Sequence, residues 1–162
     1  MTVSKAFEKF IRSRHLKGVS KNTIISYRNL TSRFIRFIGT DTEMENITQE
    51  HLENFVDSLY SVALSRNSIA SYIRNTRIFL KWYQKKNAVS YSACELAIPK
   101  APKKLVYIYN PNEISMIFNT IDTCSPWLTA RNKAMIALML DSGLRQGELY
   151  LSLIHISEPT RH

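Results

Sequence analysis

Val19-Ser20-Lys21-Asn22-Thr23-Ile24-Ile25-Ser26-Tyr27 recurs 45 residues downstream as Leu64-Ser65-Arg66-Asn67-Ser68-Ile69-Ala70-Ser71-Tyr72. Each copy reads apolar–Ser–basic–Asn–hydroxyl and then becomes amphipathic. A serine in that place predicts an N-cap, its hydroxyl accepting from first-turn amides that have no partner inside the helix. The match resumes where Phe34-Ile35-Arg36-Phe37 faces Phe79-Leu80-Lys81-Trp82. Tyr27, Leu30, Phe34, Phe37 and Ile38 share one helical face in the first copy. Ile69, Tyr72, Ile73, Thr76, Phe79, Leu80 and Tyr83 share one in the second. The pattern predicts two helices in similar roles, since two copies are too few for a solenoid.

Working outward, Val3 to Lys17 predicts a helix with Phe7, Phe10, Ile11 and Leu16 inward, ended by Gly18. Between the copies, Thr48 is placed to cap a further helix and Glu50 to complement its positive end. Leu52, Phe55, Val56, Leu59 and Tyr60 form that helix's apolar face, and Asp41-Thr42-Glu43-Met44-Glu45 before it predicts a solvated acidic loop. Four helices over residues 1–88 are about the minimum that closes a core of this size.

Helical periodicity is then lost, and residues 89–109 predict a linker around the basic, proline-rich Pro99-Lys100-Ala101-Pro102-Lys103-Lys104. Its lysines, Lys103 among them, suit phosphates, and a plain hinge is the equal alternative. Asn110-Pro111-Asn112-Glu113 is a strong helix start, with a cap, a proline at the first helical position and a glutamate placed for a capping box. Ile114, Ile117, Phe118 and Ile121 face inward from there. A second helix begins at Ser125-Pro126 and is apolar nearly all round from Ala130 to Leu140, as buried central helices are. Gly143 ends it in a left-handed conformation, Leu144 is placed to plug a core, and Arg145 emerges at the start of the next short helix. Helix amides and a guanidinium converging there suit a phosphate.

The chain of 162 residues has 44% hydrophobic and 22% charged residues, an ordinary globular balance. Its net charge of +9 is unevenly placed. Residues 1–104 hold 18 Lys/Arg against 8 Asp/Glu, and residues 105–162 hold 4 against 5. A basic excess confined to the first two thirds predicts a polyanionic partner, most simply double-stranded DNA. On the second repeat helix Arg66, Arg74, Arg77, Lys81 and Lys85 recur at helical spacing with few acids among them, a stripe suited to a phosphate backbone. Asn67 sits at its start, and Lys21, Asn22, Thr23 and Arg28 echo it on the first repeat helix. A solvated helix face is the alternative for such charge runs. Cys94 and Cys124 stand alone, so no metal site, cofactor or disulfide is expected. No apolar run spans a bilayer and Met1–Lys5 opens no signal-peptide core, which gives the expectation of a cytoplasmic protein with no membrane partner.

Gly143-Leu144-Arg145-Gln146-Gly147-Glu148-Leu149 resembles the first catalytic-arginine motif of the tyrosine recombinases, the phage-integrase family of site-specific DNA strand-exchange enzymes. The Val19–Tyr27 stretch resembles the second-helix signature of that family's four-helix, SAM-like core-binding domain, and Asn112-Glu113-Ile114 the opening of its catalytic domain. The resemblance covers about residues 3–150 and implies an all-α chain as present: the four-helix domain, a linker, and over 110–150 the first helices of a normally mixed α/β catalytic domain. It implies that Arg145 binds the scissile phosphate, that Glu148 braces Arg145 or its neighbours, and that members work as tetramers on DNA without a small-molecule substrate. The family's lysine, His-x-x-Arg pair and nucleophilic tyrosine find no counterpart: Tyr150 follows Arg145 too closely, and His155 and Arg161 lack that spacing. Residues 151–162 depart from the family pattern and resemble a translated sequencing adapter. The expectation is a truncated, DNA-binding chain with a non-native tail, inactive in strand transfer by itself. A stand-alone DNA-binding regulator or competitor at recombination sites is the alternative, and a helical interaction module without nucleic acid a third.

Overall fold

The computed structural model describes residues 1–100 and 105–157, the last six of these by their backbone. Among the described residues there is no strand. Helices α1 (Val3–Leu16), α2 (Lys21–Ile38), α3 (Gln49–Tyr60) and α4 (Arg66–Gln84) belong to a unit spanning Met1–Lys104. Helices α5 (Pro111–Thr120), α6 (Pro126–Ser142) and α7 (Gln146–Ser157) belong to a second, Leu105–His162.

In the first unit α2 and α4, the two repeat helices, form the central pair. α1 and α3 each pack on both of them and make no substantial contact with one another. Phe10 of α1 lies fully buried where three helices meet, its ring 5.3 Å from Tyr27, 5.6 Å from Phe79 and 5.6 Å from Trp82. Phe34 of α2 meets Phe55 of α3 edge-on at 5.1 Å. Clusters of this kind dominate small cores, because each ring removes a large apolar area from water. The 45-residue offset runs deeper than its caps. Thr31 and Thr76 are equivalent positions, both fully buried, and neither hydroxyl has a hydrogen-bond partner among the described residues.

The helical faces differ from the sequence reading at their edges. Leu16, Phe37 and Tyr60, expected inside, are exposed at the ends of α1, α2 and α3, although the Phe37 ring still meets Phe55 of α3 at 5.6 Å along one side. Val3, Ala6, Ile24 and Thr31 fill the core instead. The acidic stretch expected to be a solvated loop is tied into the domain. It leads into a short 3-10 turn, Met44–Asn46, whose Met44 is fully buried. The Glu45 carboxylate accepts from the Met1 ammonium at 2.8 Å and from the Tyr83 hydroxyl at 2.7 Å. Those two partners, the ammonium first, hold the Glu45 carboxyl down to about 2. Burial, then the same carboxylate, pushes the Tyr83 phenol up to about 12.

Residues 89–98, read from sequence as the start of the linker, pack into this unit. Tyr91, Ala93 and Leu96 join its core, Ser90 donates to the Ile47 carbonyl at 2.9 Å, and the Ser92 amide donates to Gln49 at 3.1 Å. An irregular segment has no period to show that it is buried, which is why the composition suggested a linker.

The second unit is built differently. The α5 capping box forms as expected, with the Glu113 amide donating to Asn110 at 3.0 Å and the Asn110 amide donating back at 2.8 Å. α6 ends in left-handed Gly143 (φ 67°), whose amide donates to the Met139 carbonyl at 3.0 Å. Yet neither α5 nor α6 buries a residue. Leu144 is only half-buried, and among the described residues Leu149 of α7 is the buried apolar side chain of this unit. α7 continues past residue 150 to Ser157, across the boundary at which the sequence reading placed a tail. Residues 158–162 of that tail lie outside the described residues.

Candidate nucleic-acid interface

The two repeat caps form alike. Ser20 accepts from the Thr23 amide at 3.3 Å and Ser65 from the Ser68 amide at 3.2 Å. In each helix the third-residue hydroxyl closes on the cap hydroxyl at 2.9 Å. That contact explains the conserved spacing within the repeat: serine caps, and the Thr23 or Ser68 hydroxyl three residues on completes the turn. The residues between are Lys21-Asn22 and Arg66-Asn67, all exposed. Neither first turn contains an acid. A cation at a helix amino end opposes the macrodipole, so this choice costs the fold a little and leaves two strongly electropositive corners.

Along α4 the stripe continues from Arg66 through Arg74, Arg77 and Lys81 to Lys85, which caps the helix. Arg74 and Lys85 are exposed, whereas Arg77 and Lys81 are half-buried, their stems lying against the domain. Among the described residues none of these five cations has an acidic partner; the ion pairs lie elsewhere. Asn75 donates to the Ser71 carbonyl at 2.9 Å and lies beside the stripe rather than in it.

Arg28 is placed differently from Lys21 on the same helix. Its guanidinium donates to both carboxylate oxygens of Glu8 on α1, at 2.7 and 3.0 Å. The pair holds the Glu8 carboxyl below its ordinary value and Arg28 above, and being largely exposed it contributes about 0–1 kcal/mol. Arg28 thus joins two helices in this structure instead of standing free beside Lys21. Lys103 lies outside the described residues.

Two clusters escaped the sequence reading as sites. Arg33 of α2 lies over the Tyr72 ring of α4 at 5.5 Å, a meeting that needs the α2–α4 pairing to be known. Lys5, Lys9 and Arg12 form an exposed row on α1, and their i, i+4, i+7 spacing was available as a signal.

In the second unit Arg145 is 86% exposed, at the residue preceding α7. Its own amide donates to Glu148 at 2.8 Å, and its guanidinium reaches the other oxygen of that carboxylate at 3.3 Å. Glu148 therefore acts on the backbone first, taking the capping role that an arginine side chain cannot fill. Among the described residues the guanidinium is held by one long, exposed contact, which leaves it open to a stronger anionic ligand. Among the described residues no group of three or more His, Cys, Asp or Glu side chains could hold a metal, and no helix is long and apolar enough to cross a membrane.

Comparison with known proteins places this architecture. The family model described as the phage integrase N-terminal SAM-like domain matches residues 6–87, the span of α1–α4. The chain is 29% identical to tyrosine recombinase XerD of Halalkalibacterium halodurans, over 96% of this chain and 54% of that protein. It is 30% identical to XerD of Haemophilus influenzae, over 82% and 45%, and 30% identical to XerC of Xylella fastidiosa, over 91% and 51%. No solved structure matches the chain at a significant level. The chain spans about half the length of the curated relatives it matches. A four-helix unit matched along its length, with relatives of one kind aligned well into the second unit, makes the chain a member of the phage-integrase family of tyrosine recombinases.

Proposed function

We propose that this chain is the duplex-DNA-binding part of a site-specific recombinase, acting on DNA in the cytoplasm. The observation that carries the reading is the α4 stripe. Its five cations, without acidic partners among the described residues, continue from a capped amino end that matches the one on α2. Lys21, Asn22, Arg66 and Asn67 are the side chains best placed to reach phosphates and base edges from those ends, and Arg74, Arg77, Lys81 and Lys85 follow a phosphate backbone. Thr23 contributes through the cap it completes.

Arg145 is the residue we assign to the scissile phosphate. A guanidinium is planar, always charged and bidentate, and it offsets charge gathering on the non-bridging oxygens during phosphoryl transfer. Glu148 positions it by fixing the backbone at the α7 start. In the whole enzyme, strand transfer through a phosphotyrosine and assembly as a tetramer on DNA belong to this reading. Fluorescence anisotropy on a labelled duplex tests its core. Affinity should fall steeply as salt rises, because each neutralised phosphate releases condensed counterions. Negligible binding at low salt, or binding indifferent to salt, removes DNA from the account.

A further inference from the structure

The outer face of α1 and the carboxyl end of α4 border a hollow that the duplex-binding reading does not use. Its volume is about 390 Å³, inside the roughly 300–1,000 Å³ of small-molecule sites. Lys9, Arg12, Ser13 and Leu16 line it from α1, on one helical face. Trp82 lines it from α4, and Lys86 from just past the end of that helix. Lys9, Arg12 and Lys86 are exposed, and among the described residues none of the three has an ion-pair partner. No acid among the described residues lines the hollow. The Glu45 carboxylate, reached through Tyr83, already accepts from the Tyr83 hydroxyl at 2.7 Å and from the Met1 ammonium at 2.8 Å. Free carbonyls at a helix carboxyl end would repel an anion. Here the Tyr83 carbonyl accepts from the Lys86 amide at 3.1 Å and from the Asn87 side chain at 2.9 Å. The half-buried Trp82 ring is steadied by Phe10, 5.6 Å away edge-on, and Leu16 is 81% exposed.

We propose that this hollow binds a nucleotide, its base against Trp82 and Leu16 and its phosphate among Lys9, Arg12 and Lys86. The two halves of the lining call for one ligand. An apolar molecule would leave three cations unanswered, and a bare phosphate would leave the indole and Leu16 uncovered. A nucleotide joins a flat base, which stacks on an anchored aromatic ring, to an anion. The Arg12 guanidinium can take two phosphate oxygens at once, and the two lysines add point charges. A neighbouring hollow of about 790 Å³ shares Lys9 and Arg12 and adds Lys5, which leaves room for a further phosphate. Glu8 borders that second hollow, but Arg28 holds both of its carboxylate oxygens. The same chemistry has two sources, a free nucleotide and an unpaired nucleotide at the end of a strand. The site stands apart from the α4 stripe, goes beyond the duplex-binding reading and does not rest on it.

Tryptophan fluorescence on the full chain carrying Trp127→Phe tests the proposal, because that exchange, at an exposed position, leaves Trp82 as the one tryptophan. Adenosine monophosphate should quench it saturably, with a Kd of roughly 10 µM to 1 mM, the range of a small, open site. Adenosine and inorganic phosphate each carry half of the ligand, so each should bind at least about tenfold more weakly. Arg12→Gln/Lys86→Gln changes exposed side chains alone and should weaken the monophosphate by about tenfold or more, since each exchange removes a charge-assisted hydrogen bond. Arg74→Ala/Arg77→Ala/Lys81→Ala, on the α4 stripe, should leave that affinity largely unchanged. A single-stranded oligothymidylate of about five nucleotides, set beside thymidine monophosphate, separates the two sources. An oligonucleotide that binds at least about tenfold more tightly assigns the site to a strand end, and equal affinities assign it to a free nucleotide; both support the proposal. No saturable quenching by mononucleotide or oligonucleotide overturns it. So does unchanged affinity in Arg12→Gln/Lys86→Gln, or inorganic phosphate that binds as tightly as the monophosphate. Affinity lost in the α4 variant but kept in Arg12→Gln/Lys86→Gln also overturns it and gives the signal to the stripe.

Discussion

At the scale of single residues, the two cap serines do the same work in two places. Ser20 and Ser65 each satisfy one first-turn amide and close on a second hydroxyl. Ser20→Ala and Ser65→Ala should each lower the unfolding free energy by about 1 kcal/mol in denaturant melts. Glu45 makes a pH prediction. Its folded-state value of about 2 lies below its ordinary 4.5, so its contribution is complete above pH 4.5 and is lost as pH falls toward 2. The melting temperature should decline through that window, and Glu45→Gln should flatten the decline by removing the group that titrates. These residues also show what sequence can and cannot reveal. The caps were legible because capping is local: cap and amide are three residues apart. Glu45 read as solvent-facing because its partners, Met1 and Tyr83, are 44 and 38 residues away.

At the scale of elements, the repeat organises the first unit. α2 and α4 pack as its centre, and the equivalence extends to Thr31 and Thr76, whose buried hydroxyls find no partner among the described residues. Burying an unpaired hydroxyl costs about 1–3 kcal/mol on mutational scales. Thr31→Val and Thr76→Val, which keep the shape and remove the polar atom, should raise the melting temperature; a drop would show that the hydroxyls are bonded. Amphipathic periodicity identified four helices and most of the core because one face of each must leave water. It overreached at Leu16, Phe37 and Tyr60, since period alone does not say how fully a neighbouring helix covers each side chain. It missed the burial of Tyr91, Ala93 and Leu96, which lie in no regular element. The candidate site was legible as composition: the α4 stripe and Arg145 could be named, but the diversion of Arg28 to Glu8 needed the packing of α1 on α2.

At the scale of the whole molecule, the two units differ in how much they bury. The first has a continuous core drawn from four helices and the 89–98 segment, whereas α5 and α6 bury no residue. An apolar helix without cover gains little from folding, so its amides open cheaply. Hydrogen exchange should find the amides of α1–α4 slowest, and those of α5 and α6 faster by orders of magnitude. Uniform protection across both would contradict the account. Charge divides along the same line, with the basic excess in the first unit. The function claimed for this chain therefore rests chiefly on α2 and α4 and only secondarily on Arg145.

The most direct test of that claim is the salt slope of duplex binding for Arg74→Ala/Arg77→Ala/Lys81→Ala beside the wild type. Each lost phosphate contact should reduce the slope of log affinity against log salt by about 0.9, so the triple variant should bind more weakly on any sequence, with a slope shallower by about 2 to 3. A triple variant that folds and keeps the wild-type affinity and slope would show that the α4 stripe does not face DNA.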